Sequence, residues 1–72
     1  MHKIYIRDEF IKLGQALKLA GLVDSGLDAK YVIQEGEVTL NGAVEMQRGK
    51  KCVIGDIISF KGHSFVIEGK DK

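Results

Sequence analysis

The sequence of 72 residues predicts an α+β fold: a single small domain, 1–72, with an N-terminal strand, two packed short helices in a helix-turn-helix-like pair, and a small, mostly antiparallel sheet. Three observations predict it. Apolar residues recur with a period of two at the N-terminus, with a helical period in two successive stretches, and with a period of two again in the C-terminal half. Glycines close both helical stretches, and Asn-Gly, Gly-Asp and Lys-Gly pairs punctuate residues 41–62 as tight turns do. A 44% hydrophobic content with no proline supplies apolar surface to offset chain entropy, while so short a chain has room for one core only.

Each element follows from local pattern. In the opening HKIYIR, Ile4 and Ile6 alternate with Tyr5, as in a half-buried strand. From about residue 9 the period becomes helical: Phe10, Leu13, Leu17 and Ala20 form one stripe with Ala16 beside it, and Lys12, Gln15 and Lys18 lie roughly opposite. Asp8 and Glu9 suit the positive end of that helix, and Gly21 ends it. Ile11, Leu19 and Leu22 interrupt the polar side, so a neighbour is expected to cover part of it. Ser25 is the N-cap of a second helix over about 26–35, and Asp28 completes an approximate capping box. Ala29, Val32 and Ile33 form its buried stripe, Lys30 its flank, and Gly36 its left-handed stop.

The period then returns to two. Val38 and Leu40 point inward, Asn41-Gly42 is the preferred dipeptide of a tight hairpin, and Ala43 to Met46 run back. Gly55-Asp56 turns the chain, and IISF and SFVIE read as two strands joined through Lys61-Gly62 and His63. Phe10, Phe60 and Phe65 are expected in the core, with Tyr5 and Tyr31 packed against it. Cys52, beside Val53 and Ile54, reads as a small buried hydrophobe whose neighbouring lysines hint at a lowered thiol pKa.

Composition excludes several classes of function. Cys52 is the sole cysteine, which rules out an intrachain disulfide, and no apolar run approaches the roughly 20 residues of a membrane helix. MHKIYIRDEF lacks the apolar core and cleavage site of a secretory signal, so a cytoplasmic protein is expected. His2 and His63 are the only histidines, and Cys52 has no zinc-ligand spacing. The glycine-containing stretches lack both the phosphate-loop ending and the dinucleotide fingerprint. The chain is expected to be no enzyme and to need no metal or cofactor.

The net charge of +1 does not announce a nucleic-acid binder, but the distribution of charge is uneven. Arg48, Lys50 and Lys51 crowd around Gly49, and no acid succeeds them until Asp56. Asp24 and Asp28 have work at a helix start. Lys12, Lys18, Lys30, Arg48, Lys50 and Lys51 have none, and are expected to share one face.

The ordered set Lys12-Leu13, Ser25, Ala29-Lys30, Ile33 with Gly36, Val38-Thr39-Leu40-Asn41-Gly42 and Gly55-Asp56 resembles the small RNA-binding domain named after the fourth protein of the small ribosomal subunit, also called the αL motif. The resemblance covers about 10–60, and the chain looks like the short stand-alone bacterial members. It departs at Gly14, where members often carry Asp, and at Gly26, where they often carry Arg; both changes are expected to weaken inherited contacts, although Gly26 leaves backbone N–H groups open to a phosphate.

The resemblance implies RNA binding in ribosome assembly or translation, with ribosomal RNA as the implied partner and the protein acting as a monomer. Physical chemistry supports the same partner, since folded RNA is a shaped array of phosphates that spaced cations on a rigid surface can meet. Lys12, Lys18, Lys30, Arg48, Lys50 and Lys51 are the expected phosphate contacts. Gln15 and Asn41 are neutral candidates for a 2′-hydroxyl or a base edge. A second reading is a protein-interaction module docking through Ile11, Leu19 and Leu22; a lesser one is a duplex-DNA binder using the helix pair, for which the second helix carries too few bases.

Overall fold

Along β1 (His2–Ile6) the alternation holds, Ile4 and Ile6 being buried between exposed neighbours. The computed structural model describes residues 2–70. After β1 come β2 (Ile11–Lys12), α1 (Leu13–Leu19), α2 (Gly26–Gln34), β3 (Val38–Leu40), β4 (Ala43–Val44), β5 (Lys51–Cys52), β6 (Ile57–Phe60) and β7 (His63–Gly69). Five strands form one sheet in the order β1-β7-β6-β3-β4, with β1 parallel to β7 and every other pair antiparallel. β2 and β5 form a separate antiparallel pair. Among the described residues no helix is long and apolar enough to cross a membrane.

Two tight turns set the register of the sheet. Asn41 and Gly42 have φ of 53° and 88°, and Lys61 and Gly62 have 50° and 80°. Both pairs thus adopt the two consecutive positive φ angles of the hairpin turn whose twist matches that of the strands it joins. The alternation along β6 and β7 sends Ile58, Phe60, Phe65 and Ile67 to one face. Helices α1 and α2 cover that face with Leu13, Ala16, Leu17, Ala29 and Ile33, all fully buried. Removing a side chain such as Leu17 is expected to cost about 2–5 kcal/mol, because it loses both transfer energy and close packing.

The second helix obeys its sequence signals. Ser25 is extended, and its Oγ accepts a hydrogen bond from the Asp28 N–H at 3.2 Å. Glu35 is the C-cap, and Gly36 comes next at φ 75°. The first helix does not begin where periodicity places it. Asp8 and Glu9 lie in a bend, and Ile11 and Lys12 are extended and paired, so the helix starts at Leu13 with no acid in its first turn. The reason is tertiary: β5 offers Ile11 and Lys12 a strand partner, and a β-branched isoleucine fits a strand better than a helix end.

Phe10 therefore leaves the expected core stripe. It is 37% exposed, with the Lys51 Nζ 4.8 Å from its ring centroid. Tyr5 and Tyr31 are also solvent-facing rather than packed. Phe60 and Phe65 are buried as expected.

Cys52 is fully buried, but its thiol pKa moves opposite to the expected direction. Burial pushes it up from 9.0 to about 11, Asp56 and Glu45 add to the rise, and only Lys50 opposes it. Between those values the unfolded chain has lost the thiol proton and the native chain keeps it. The stabilisation is therefore complete below pH 9 and is lost as pH rises towards 11. Urea titrations across this window should show wild-type stability falling by up to a few kcal/mol more than that of Cys52→Ala; parallel pH profiles would contradict the burial argument.

Candidate nucleic-acid interface

Every helix begins with backbone N–H groups that lack an intrahelical partner. At α1 the N-cap residue, Lys12, supplies no side-chain cap. The basic stretch supplies the acceptors instead: the Leu13 N–H donates to the Lys50 carbonyl at 2.9 Å, and the Gly14 N–H to the Arg48 carbonyl at 3.1 Å. The turn at Arg48-Gly49 is closed by the Lys50 N–H donating to the Gln47 carbonyl at 3.1 Å. Next along the chain, β5 pairs with β2 in the register Ile11 to Cys52 and Lys12 to Lys51. A stretch more than thirty positions away in sequence is thereby held against the start of α1.

Gly14 is explained by the same contact. A Cβ built there would lie 2.8 Å from the Arg48 Cγ and 3.4 Å from its Cδ. The arginine stem occupies the space that a side chain at position 14 would need. Glycine at position 14 lets the stem of Arg48, from another part of the chain, lie against the start of α1.

The elements enclose an open cleft of about 350 Å³. Lys12, Gln15 and Lys18 line it from β2 and α1, Arg48 and Gly49 from the basic turn, and Gly26 from the first position of α2. Gln15 and Lys18 are three positions apart and so neighbour one another on α1. No acidic side chain among the described residues lines it. Lys30 lies outside the cleft, four positions after Gly26 and so one turn farther along the same side of α2.

Lys51 is set beside Lys12 by the ladder, although its ammonium rests on the Phe10 ring. Like charges directly opposite in a strand pair repel. An anion bound between them would relieve that repulsion. Lys50 contributes its carbonyl to Leu13 and keeps an exposed side chain outside the cleft lining.

Asn41 has a different role. Its Nδ2 donates to the Asp56 Oδ1 at 3.0 Å, and its Oδ1 accepts from the Ile57 N–H at 2.9 Å. Asp56 also accepts from the Val53 N–H at 2.8 Å through Oδ2. Both ends of the carboxamide fasten the β3-β4 turn to the start of β6, and it does not line the cleft. The β2-β5 pair was not evident from local pattern; the spacing of Lys12 and Lys51 gives no hint of their pairing.

With the geometry in hand, comparison places the chain in a family. Residues 4–68 match the S4 domain, and the chain belongs to that family. Among curated relatives, a protein of Bacillus subtilis (strain 168) named "Probable ribosome maturation protein RlbA" is 42% identical over 59 residues, which cover 82% of this chain and 83% of that protein. YbcJ of Escherichia coli (strain K12) is 46% identical over 54 residues, 75% of this chain and 77% of YbcJ. The solution structure of E. coli YbcJ, described as revealing an αL motif involved in RNA binding, superposes with a TM-score of 0.73 at 38% identity, covering 94% of this chain and 87% of that one. The α+β architecture expected from sequence is the one this structural comparison supports.

A double-mutant cycle tests the packing of position 14. Gly14→Ala should destabilise by about 1–3 kcal/mol, since the new methyl must displace the arginine stem. In an Arg48→Ala background the same change should be nearly neutral, giving a coupling of about 1 kcal/mol or more by urea denaturation. Additive effects would mean that Arg48 does not occupy this space.

Proposed function

We propose that this protein binds structured RNA without catalysing a reaction, and that its RNA is ribosomal, in ribosome assembly or translation in the cytoplasm. The observation that carries the reading is the acid-free cleft in which Lys12, Lys18 and Arg48 converge from three separate elements, with Gln15 between them. Lys30, Lys50 and Lys51 extend the cationic surface around it. The ribosomal setting draws support from the name of the B. subtilis relative, and the RNA from the description of the E. coli structure. The protein is read as a monomer in one domain.

The arrangement suits phosphates for an electrostatic reason. Neutralising phosphates releases condensed counterions, so spaced cations yield most where the partner is a dense polyanion. The apolar docking alternative has a smaller surface than sequence indicates: Ile11 and Leu22 pack against the core, leaving Leu19 exposed. A duplex-DNA reader would need several side chains along one helix to reach base edges, whereas α2 carries a single base, Lys30.

Anisotropy titrations against a structured RNA, a matched DNA duplex and a single strand test the reading. Lys12/Lys18/Arg48→Ala should stay folded, lose at least about tenfold in RNA affinity, and show a log K against log salt slope shallower by roughly two to three. Lys61/Lys70→Ala removes two cations that do not line the cleft, and should change affinity little. Equal losses from the two variants would reduce the interaction to bulk charge. Cosedimentation with purified ribosomal subunits, lost in the triple variant, checks the ribosomal part.

A further inference from the structure

The nine glycines sort unevenly by cause. Five have positive φ, a conformation that favours glycine, and two others meet close neighbours: Gly14 the Arg48 stem, and Gly69 the Ile54 Cδ1 at 3.0 Å. That leaves Gly26 and Gly49. Neither has positive φ, and a Cβ added at either would meet nothing within 4 Å. Conformation and packing give no reason for glycine at these two positions. A glycine in the first turn of a helix is also inferior to alanine, so Gly26 weakens α2 slightly. Yet both line the same cleft, and they do so beside its three cations.

Taking the cleft as the RNA site proposed above, we infer that it receives a single unpaired nucleotide drawn out of a folded RNA, with its sugar-phosphate lying against the bare backbone at Gly26 and Gly49. A phosphate alone needs far less room. It displaces only a few waters, each worth about 30 Å³ of liquid, whereas the cleft of about 350 Å³ lies at the lower end of the range of roughly 300–1,000 Å³ in which small-molecule ligands are held.

A paired stem presents its backbone as a convex ridge, which fills a cleft of this size poorly. An extruded nucleotide fills it. Lys12 lines the cleft from β2, Lys18 from α1 and Arg48 from the basic turn, so a phosphate there meets cations from different parts of the chain. Gln15 offers a carbonyl acceptor and an amide donor, the pair needed to engage a base edge or a 2′-hydroxyl. The Arg48 guanidinium, carried on a stem packed over Gly14, supplies a flat surface against which a base can stack. Side chains at 26 or 49 would stand where the sugar-phosphate must approach.

Two RNA hairpins of identical stem, one fully paired and one carrying a single unpaired nucleotide with all four bases represented, provide the probe. Wild type should bind the interrupted hairpin roughly fivefold or more tightly than the paired one. Gly26→Leu and Gly49→Gln change no charge and should melt no lower than wild type. Each should abolish that preference, whereas Lys61→Ala, outside the cleft, should keep it. Equal binding of both hairpins by wild type, or retention of the preference by either glycine variant, overturns the nucleotide assignment and leaves RNA binding standing. Binding of neither hairpin above the level of a matched DNA duplex overturns the RNA reading itself.

Discussion

The first turn of α1 cannot satisfy its own N–H groups, and the way it solves this problem determines the rest of the surface. Leu13 and Gly14 donate to the Lys50 and Arg48 carbonyls, and β2 and β5 continue the attachment as a short ladder. A helix capped by its own side chain could have left the basic stretch as a loose loop. Capped by that stretch, it holds Lys12, Lys18 and Arg48 around one cavity, and the cations gain a fixed spacing at no cost in extra core. The buried face is supplied by the sheet and by Leu13, Ala16 and Leu17, so the opposite side of α1 is free for charge.

The same arrangement explains how a nearly neutral chain acquires a cationic site. Acids are not scarce, but several are placed where they serve the fold. Asp28 sits in the first turn of α2, where negative charge suits the helix dipole, and Asp56 gathers the Asn41 amide and the Val53 N–H. The bases carry no comparable structural duty at the cleft. Lys12 is also paired with Lys51 across the β2-β5 ladder, with the Lys51 ammonium resting on the Phe10 ring. The ladder fixes the backbone beneath these cations, which leaves less of the chain to order when a polyanion binds.

Much of the fold was legible because its signals are local. Ser25 three residues before the Asp28 N–H, Gly36 after α2, and Asn41-Gly42 between Leu40 and Ala43 each announce their geometry within a few positions. The start of α1 was not legible, because Phe10 falls on the helical stripe of Leu13 and Leu17, and only the pairing of Ile11 and Lys12 with β5 decides against it. Cys52 misleads for a related reason: its sequence neighbours are lysines, but its spatial surroundings are the core together with Asp56 and Glu45. At the cleft, Lys12, Gln15, Lys18 and Arg48 are legible from charge and chemistry and Gly26 from its open backbone N–H groups, while the contact between Gly14 and Arg48 is one that no local pattern records. Asn41 is a candidate from its amide, which the structure engages at both ends.

The central claim is that one continuous surface, from the start of α1 across the basic turn to α2, is where RNA lies. Backbone amide chemical-shift mapping during titration with a structured RNA at moderate salt tests it most directly. The account predicts that the amides of Lys12, Gln15, Lys18, Gly26, Lys30, Gly49 and Lys51 move together and saturate together, while Tyr5, Ser59 and Val66 on the outward side of the sheet stay in place. Shifts centred on that outward side, with the α1 and basic-turn amides unmoved, would contradict it.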